Sequence, residues 1–243
     1  MARKKTDLNI RRKNQNTKNT QKFIIYVEGR NTEPSYLNLL KRTNCTITPV
    51  PIKGHGIGSC VDFVKEVDAK YNTLSAKDKI KYKQKWIMFD YDGHNDFADG
   101  IKLARKKGFK VAFSSMCIEY WFLLHFINHD GSAIPLKGNS HSKAQIDLIN
   151  QYIGNYNKNT EIKINQYNHD NSKNIEDDFF DLMFAIDPQN NCRRIENACK
   201  TAYLIHKNKK ENGNEFSESV TTMYELMLEL GVVKQDDDVF KLN

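Results

Sequence analysis

Two uninterrupted apolar runs that each stop at an acid constrain this chain more than any other feature. Phe23-Ile24-Ile25-Tyr26-Val27 ends in Glu28-Gly29, and Trp86-Ile87-Met88-Phe89 ends in Asp90-Tyr91-Asp92-Gly93. Short runs without polar alternation suit strands buried on both faces, as in a parallel sheet. Acids just past such strands fall where an open α/β sheet places its crevice, outside the carboxyl ends. Extended side chains alternate faces, so Asp90 and Asp92 are expected on one side, able to share a hard cation such as Mg2+.

Helix and strand patterns alternate around these runs. After the first, Thr32 is expected to cap a helix, with Pro34 in its first turn and Tyr36, Leu37, Leu39 and Leu40 along it. A second strand is expected over 46–52. Gly54-His55-Gly56-Ile57-Gly58-Ser59 fits neither GxxxxGK[ST] nor GxGxxG and reads as a loop. Ser59 then caps a helix, with Asp62 three residues on and Val61, Val64 and Val67 inward, to about residue 71. Residues 75–85 read as an exposed connection with helical character. A helix from 97 stops at Lys107-Gly108, and 109–113 reads as a fourth strand. This order predicts an α/β fold, a parallel sheet sandwiched by helices, over 22–127. Residues 128–243 read as a mixed, mainly helical extension packed on that core. Its helices are expected at 142–156, 175–186, 193–209 and 220–230, the third with Ile195, Ala198, Ala202 and Ile205 on one side.

Charge points to the class of partner. Lys and Arg number 37 against 30 Asp and Glu, a net charge of +7, which favours a polyanion such as nucleic acid. Residues 1–21 form a basic arm, expected to be flexible, with Arg3, Lys4, Lys5, Arg11, Arg12 and Lys13 as phosphate contacts; Arg30 and Lys53 are further candidates. The arm lacks the apolar centre of a signal peptide, and the apolar stretch 118–127 is too short to span a bilayer. The five cysteines include no CxxC pair, so reduced thiols and a cytoplasmic setting are expected, without a zinc site or membrane attachment. A homo-oligomer is compatible with all of this.

Three anions meeting at one sheet edge repel unless a cation or protons neutralise them, which makes Glu28, Asp90 and Asp92 a candidate metal site. Glu119 joins them as a carboxylate inside the apolar stretch Cys117-Ile118-Glu119-Tyr120-Trp121-Phe122-Leu123-Leu124, where burial demands a metal, a partner or protonation. Glu33 reads as a first-turn acid favoured by the helix dipole, and so do Asp177 and Asp178. His94 reads as an exposed loop residue and His125 as a hydrogen-bonded core residue.

Three segments together resemble RloB-like proteins: Val27-Glu28-Gly29-Arg30-Asn31-Thr32-Glu33-Pro34-Ser35-Tyr36, then Phe89-Asp90-Tyr91-Asp92, then Cys117-Ile118-Glu119-Tyr120-Trp121-Phe122-Leu123-Leu124-His125-Phe126. Glu28-Gly29 with Asp90-x-Asp92 is similar to the toprim pattern of topoisomerases, primases and related nucleases. Ser219-Val220-Thr221-Thr222-Met223-Tyr224-Glu225-Leu226 is similar to the family's terminal helix start. The likeness runs from about residue 22 to 230 and is strongest over 22–127; Arg30-Asn31 replaces the Glu-Lys expected after the glycine. The resemblance implies a toprim-like fold and Mg2+- or Mn2+-dependent phosphodiester cleavage with one or two ions. It also implies a role in anti-phage defence or abortive infection, an ATPase partner from the same locus, and DNA or RNA, transfer RNA included, as target. In that scheme Asp90, Asp92 and Glu119 bind metal, and Glu28 ligates it or acts as general acid/base. Two alternatives stand beside it: a haloacid-dehalogenase-like phosphatase with Asp90 as nucleophile, and a non-catalytic nucleic-acid or nucleotide sensor partnered with an ATPase.

Overall fold

A computed structural model of the chain describes residues 22–52, 58–91, 93–138, 140, 142–167 and 174–243. The first strand, β1 (Lys22–Val27), leads through a tight loop into α1 (Thr32–Leu40), a 3-10 turn and β2 (Thr46–Pro51). Next come α2 (Cys60–Asn72), α3 (Ala76–Lys79) and β3 (Tyr82–Asp90), then α4 (Phe97–Lys106), β4 (Lys110–Ser114) and the short α5 (Ile118–Leu123). The second half holds α6 (Lys143–Lys158), α7 (Asp177–Phe184), a minimal ladder of β5 (Ile186–Asp187) with β6 (Cys192–Arg193), α8 (Arg194–Glu211) and α9 (Met223–Glu229). A hairpin of β7 (Val233–Asp236) and β8 (Val239–Leu242) follows.

The central sheet has the order β2-β1-β3-β4, with every pair parallel. From β1 the chain steps to one side to make β2, then crosses back to make β3 on the other side. The strand order therefore reverses between β1 and β3, which is the topological switch point of the sheet. Alternation along the strands builds a core on each face. Phe23, Ile25 and Val27 of β1 and Trp86 and Met88 of β3 pack with Tyr36, Leu37 and Leu40 of α1 and with the apolar residues of α5 and α7. Ile24, Tyr26, Ile87 and Phe89 pack on the opposite face against Phe63, Val64 and Val67 of α2 and Phe97, Ile101 and Ala104 of α4. No helix among the described residues is long and apolar enough to cross a membrane.

Local signals behave largely as their chemistry dictates. Ser59 Oγ accepts from the Asp62 backbone N–H at 3.0 Å, the predicted cap. Gly108 takes φ +75°, and the Phe109 N–H reaches back to the Ala104 carbonyl at 3.0 Å, closing α4 with a left-handed turn. Thr32 departs from expectation: Asn31 holds the cap position and Thr32 is the first helical residue. Along α2, Phe63 takes the core place read for Val61, which is half-buried. The last long helix begins at Met223 rather than 220, because the preceding segment is bonded to the edge of β4. There the Ser115 N–H donates to the Val220 carbonyl at 2.8 Å, and the Thr222 N–H donates to the Phe113 carbonyl at 2.9 Å. Nor does that helix close the chain, since the β7–β8 hairpin packs back on α8, where the Leu242 N–H donates to Glu196 Oε1 at 2.9 Å.

The contact between α2 and α4 supports a test of packing. A Cβ on Gly100 would stand 2.7 Å from the Cys60 Cβ and 3.1 Å from the Cys60 carbonyl carbon, and backbone has no room to yield. Helix propensity alone would make Gly100→Ala stabilising by about 1 kcal/mol. Overpacking of this kind costs about 1–3 kcal/mol, so the net expectation is a loss of stability. Denaturant unfolding of the variant is expected to give a lower midpoint at unchanged m-value; a raised midpoint would show that the helices separate freely.

Candidate active site

Glu28 and Asp90 leave the same edge of the sheet on adjacent strands. Val27 pairs with Met88 across β1 and β3, and Asp90 pairs with Ser114 across β3 and β4. Glu28 is thus one residue past its strand and Asp90 the last of its own, on the two strands flanking the switch point. Both are half-buried. Asp90 shares the parity of Trp86 and Met88 and so faces the α1 and α5 side. There its Oδ2 accepts the Ile118 backbone N–H at 2.9 Å. That bond ties the end of β3 to the first turn of α5, one residue before Glu119.

Glu119 is buried, 2% exposed, inside a set of neutral hydrogen-bond donors. The Tyr167 hydroxyl donates to its Oε1 at 3.1 Å. The Cys117 thiol also hydrogen-bonds Glu119, and Thr32 at the start of α1 hydrogen-bonds Tyr167. Burial, helped by the nearby carboxylates of Glu119 and Asp90, raises the Cys117 thiol well above its usual range, so it stays protonated. Burial and the Glu119 charge likewise push the Tyr167 hydroxyl upward, which keeps it a donor. The relay from Thr32 through Tyr167 holds the buried Glu119 carboxyl group in place.

Glu33 is the residue that sequence patterning placed correctly but read too narrowly. It lies in the first turn of α1, as a dipole-favoured acid should, yet it is only 9% exposed. Its carboxylate folds back onto the Cα of Gly29, where any side chain would overlap it. The missing Cβ at Gly29 therefore admits an acid beside Glu28, at the edge that carries Asp90. Thr32, Cys117 and Tyr167 were also missed; Tyr167 is 48 positions from Glu119 and carries no local signal.

The other predicted residues divide by position. Arg30 is exposed in the loop after Glu28. His94 is half-buried, and its backbone N–H closes a turn on the Tyr91 carbonyl at 2.8 Å. His125 is a core residue, with Nδ1 3.0 Å from the Trp121 carbonyl and burial lowering its pKa to about 3. Asp92, Lys53, and the arm residues Arg3, Lys4, Lys5, Arg11, Arg12 and Lys13 lie outside the described residues.

Among the described residues no group of three or more His, Cys, Asp and Glu side chains is gathered tightly enough to hold a metal ion. The carboxylates of Asp90 and Glu119 are oxygen donors of the kind a hard cation takes, and the Cys117 thiol beside them is held protonated. The family model described as RloB-like protein matches residues 23–230. No curated protein and no solved structure matches the chain.

Proposed function

The chain belongs to the RloB-like protein family, and from that premise we propose that it is a divalent-metal-dependent nuclease cleaving phosphodiester bonds in DNA or RNA. One observation carries the reading: Asp90, at the switch-point edge, is bonded to the turn of α5 that presents Glu119, so two carboxylates from distant sequence are fixed in one neighbourhood. Asp90, Glu119, Glu28 and Asp92 are the residues that would hold Mg2+ or Mn2+, as one or two ions. A bound ion supplies Lewis-acid polarisation of the phosphoryl oxygen and a more acidic water.

The chain's own groups do the positioning. The Ile118 N–H orients Asp90, while Tyr167 and Cys117 orient Glu119. Glu28, half-buried at the adjacent strand end, would take or return a proton at the scissile phosphate. Arg30, exposed next to it, would hold a backbone phosphate. A role as the effector of an anti-phage or abortive-infection system, with an ATPase from the same locus as partner, follows the family resemblance and forms part of the proposal.

The direct test incubates the purified chain with labelled DNA and RNA, transfer RNA included, with Mg2+ or with a chelator. Metal-dependent cleavage supports the reading; no turnover on any substrate with either Mg2+ or Mn2+, with the ATPase partner present as well, rejects it. Gly29→Ala sharpens the assay. The new methyl group must displace the Glu33 carboxylate, which is the end of a flexible side chain, so stability is expected to change by about 1 kcal/mol or less. Misplacing a group by about 1 Å at an active site lowers rates by up to ~100-fold, so cleavage is expected to fall by about 10- to 100-fold at nearly constant Tm. Wild-type cleavage by this variant would remove Glu33 from the site.

A further inference from the structure

The opposite edge of the sheet, where the strands begin, is built from lysines on aromatic rings. Lys85 Nζ lies 4.0 Å from the Phe109 ring centroid and 4.4 Å from that of Tyr71, and it donates to the Lys107 carbonyl at 2.9 Å. Lys79 Nζ lies 5.1 Å from the Tyr71 ring, Lys110 Nζ 5.7 Å from the Trp86 ring and Lys83 Nζ 5.9 Å from the Phe23 ring. Lys83 falls where the register of β3 against β1 slips by one residue, a bulge that re-aims its side chain. Between these cations opens a cleft of about 300 Å³ lined by Lys83, Lys85, Lys110, Tyr71 and Tyr82, with no acid in its wall.

Nearby carboxylates offset this charge only in part. Asp68 is paired with Lys107 at 2.8 Å, and Glu229 is held by Lys110 and by Gln84 Nε2 at 2.6 Å. Lys79, Lys83 and Lys85 have no ion pair among the described residues. Lys85 is also partly desolvated, and burial lowers its pKa, opposed by the Asp68 carboxylate and reinforced by Lys79 and Lys107. Like charges held together, one of them pinned between two rings, form an arrangement that a bound anion would stabilise; pinning also removes the entropy a free lysine would lose on binding.

We propose that this cleft is a second nucleic-acid contact, seating the sugar-phosphate backbone at the amino-terminal edge of the sheet, remote from the carboxylates. Lys83 and Lys85 contact phosphate, and the half-buried ring of Tyr82 offers a face to the sugar or base beside it. A recessed cleft with ring walls fits a strand threading through it better than a flat lipid surface or an acidic protein face. The inference rests on the nucleic-acid part of the proposed function and is independent of cleavage.

The test measures binding of the full chain in chelator, by fluorescence anisotropy with a labelled strand of about 20 nucleotides and a matching duplex, over a salt series. In the variant Lys83→Gln/Lys85→Met, methionine keeps the stem packed on Tyr71 and Phe109. Each phosphate contact contributes about 0.7–0.9 to the slope of log affinity against log salt, so the double variant is expected to lower the slope by about 1.5 and to bind roughly 10-fold more weakly at moderate salt. Lys83→Glu alone, on an exposed side chain, provides the same comparison if the double variant does not fold. Unchanged affinity and slope overturn the inference. So does a lysine-dependent loss of binding to phosphatidylserine vesicles with nucleic-acid affinity unaltered. Binding that depends on the lysines in a protein that never cleaves would leave this inference standing and reject the nuclease reading; cleavage with binding indifferent to the lysines would do the reverse.

Discussion

Asp90→Asn is expected to lower metal-dependent cleavage by about 1000-fold, the scale of losing a group that acts on charge in the transition state, while leaving the fold intact. The separation of these effects follows from the hydrogen bond at this residue. Asp90 Oδ2 accepts the Ile118 N–H at 2.9 Å, and an asparagine carbonyl oxygen can accept the same bond in nearly the same place. What disappears is the negative charge that would hold a cation. Asp90→Ala serves as the structural control: it removes the acceptor as well and leaves a backbone donor at the first turn of α5 without this partner, a defect of about 1–3 kcal/mol. Thermal melting and cleavage should therefore rank the two variants differently. Asparagine is expected to melt near wild type and to be inactive; alanine is expected to melt lower and to be inactive. An asparagine variant that cleaves at the wild-type rate, or that loses activity only in proportion to lost fold, would put the chemistry elsewhere.

How much of this was legible beforehand depends on the range of the forces involved. Residues 23–27 and 86–89 declare themselves as buried strands because a run of large apolar side chains has no other low-energy environment. Their flanking acids then follow from chain direction alone. The Ser59 cap and the Lys107-Gly108 stop were equally readable, since each is satisfied within about one helical turn. Glu33 was readable as a first-turn acid but not as a neighbour of Gly29, because that contact depends on how the loop between β1 and α1 bends. Tyr167 and Thr32 meet only after the second half of the chain has packed over α1 and α5. The start of α9 was misplaced for a related reason: the Val220 N–H donates to Ser115 Oγ just past β4 and the Thr222 N–H to the Phe113 carbonyl in β4, each more than 100 positions away, and that competes successfully with helical bonding. The β7–β8 hairpin turns through Asp236, Asp237 and Asp238, with Asp237 at φ +49°, and was not read from the sequence.

Trp121→Ala is expected to destabilise the protein by about 3–5 kcal/mol, the cost of removing a large aromatic side chain from a packed interior. Trp121 is fully buried in the middle of α5, edge-on to His125 with ring centroids 4.8 Å apart. At about 2–4 °C per kcal/mol for a chain of this size, Tm should fall by about 6–20 °C. Volume is only part of the effect. The indole Nε1 donates to the Tyr36 hydroxyl at 2.8 Å, and that hydroxyl reaches on to Met227 Sδ of α9 at 3.8 Å. Tyr36 is on α1, so this bond joins the helix that carries Thr32 and Glu33 to the helix that carries Glu119. Trp121→Phe isolates the polar share: it keeps an aromatic ring but removes the donor, leaving the Tyr36 oxygen short of one partner in the interior, at about 1–3 kcal/mol. Because the lost bond fixes α1 against α5, the phenylalanine variant should lose more cleavage than its melting temperature alone would indicate. Activity that tracks the folded fraction, with no additional loss, would reduce Trp121 to a filler of space and detach the core from the geometry of the carboxylates.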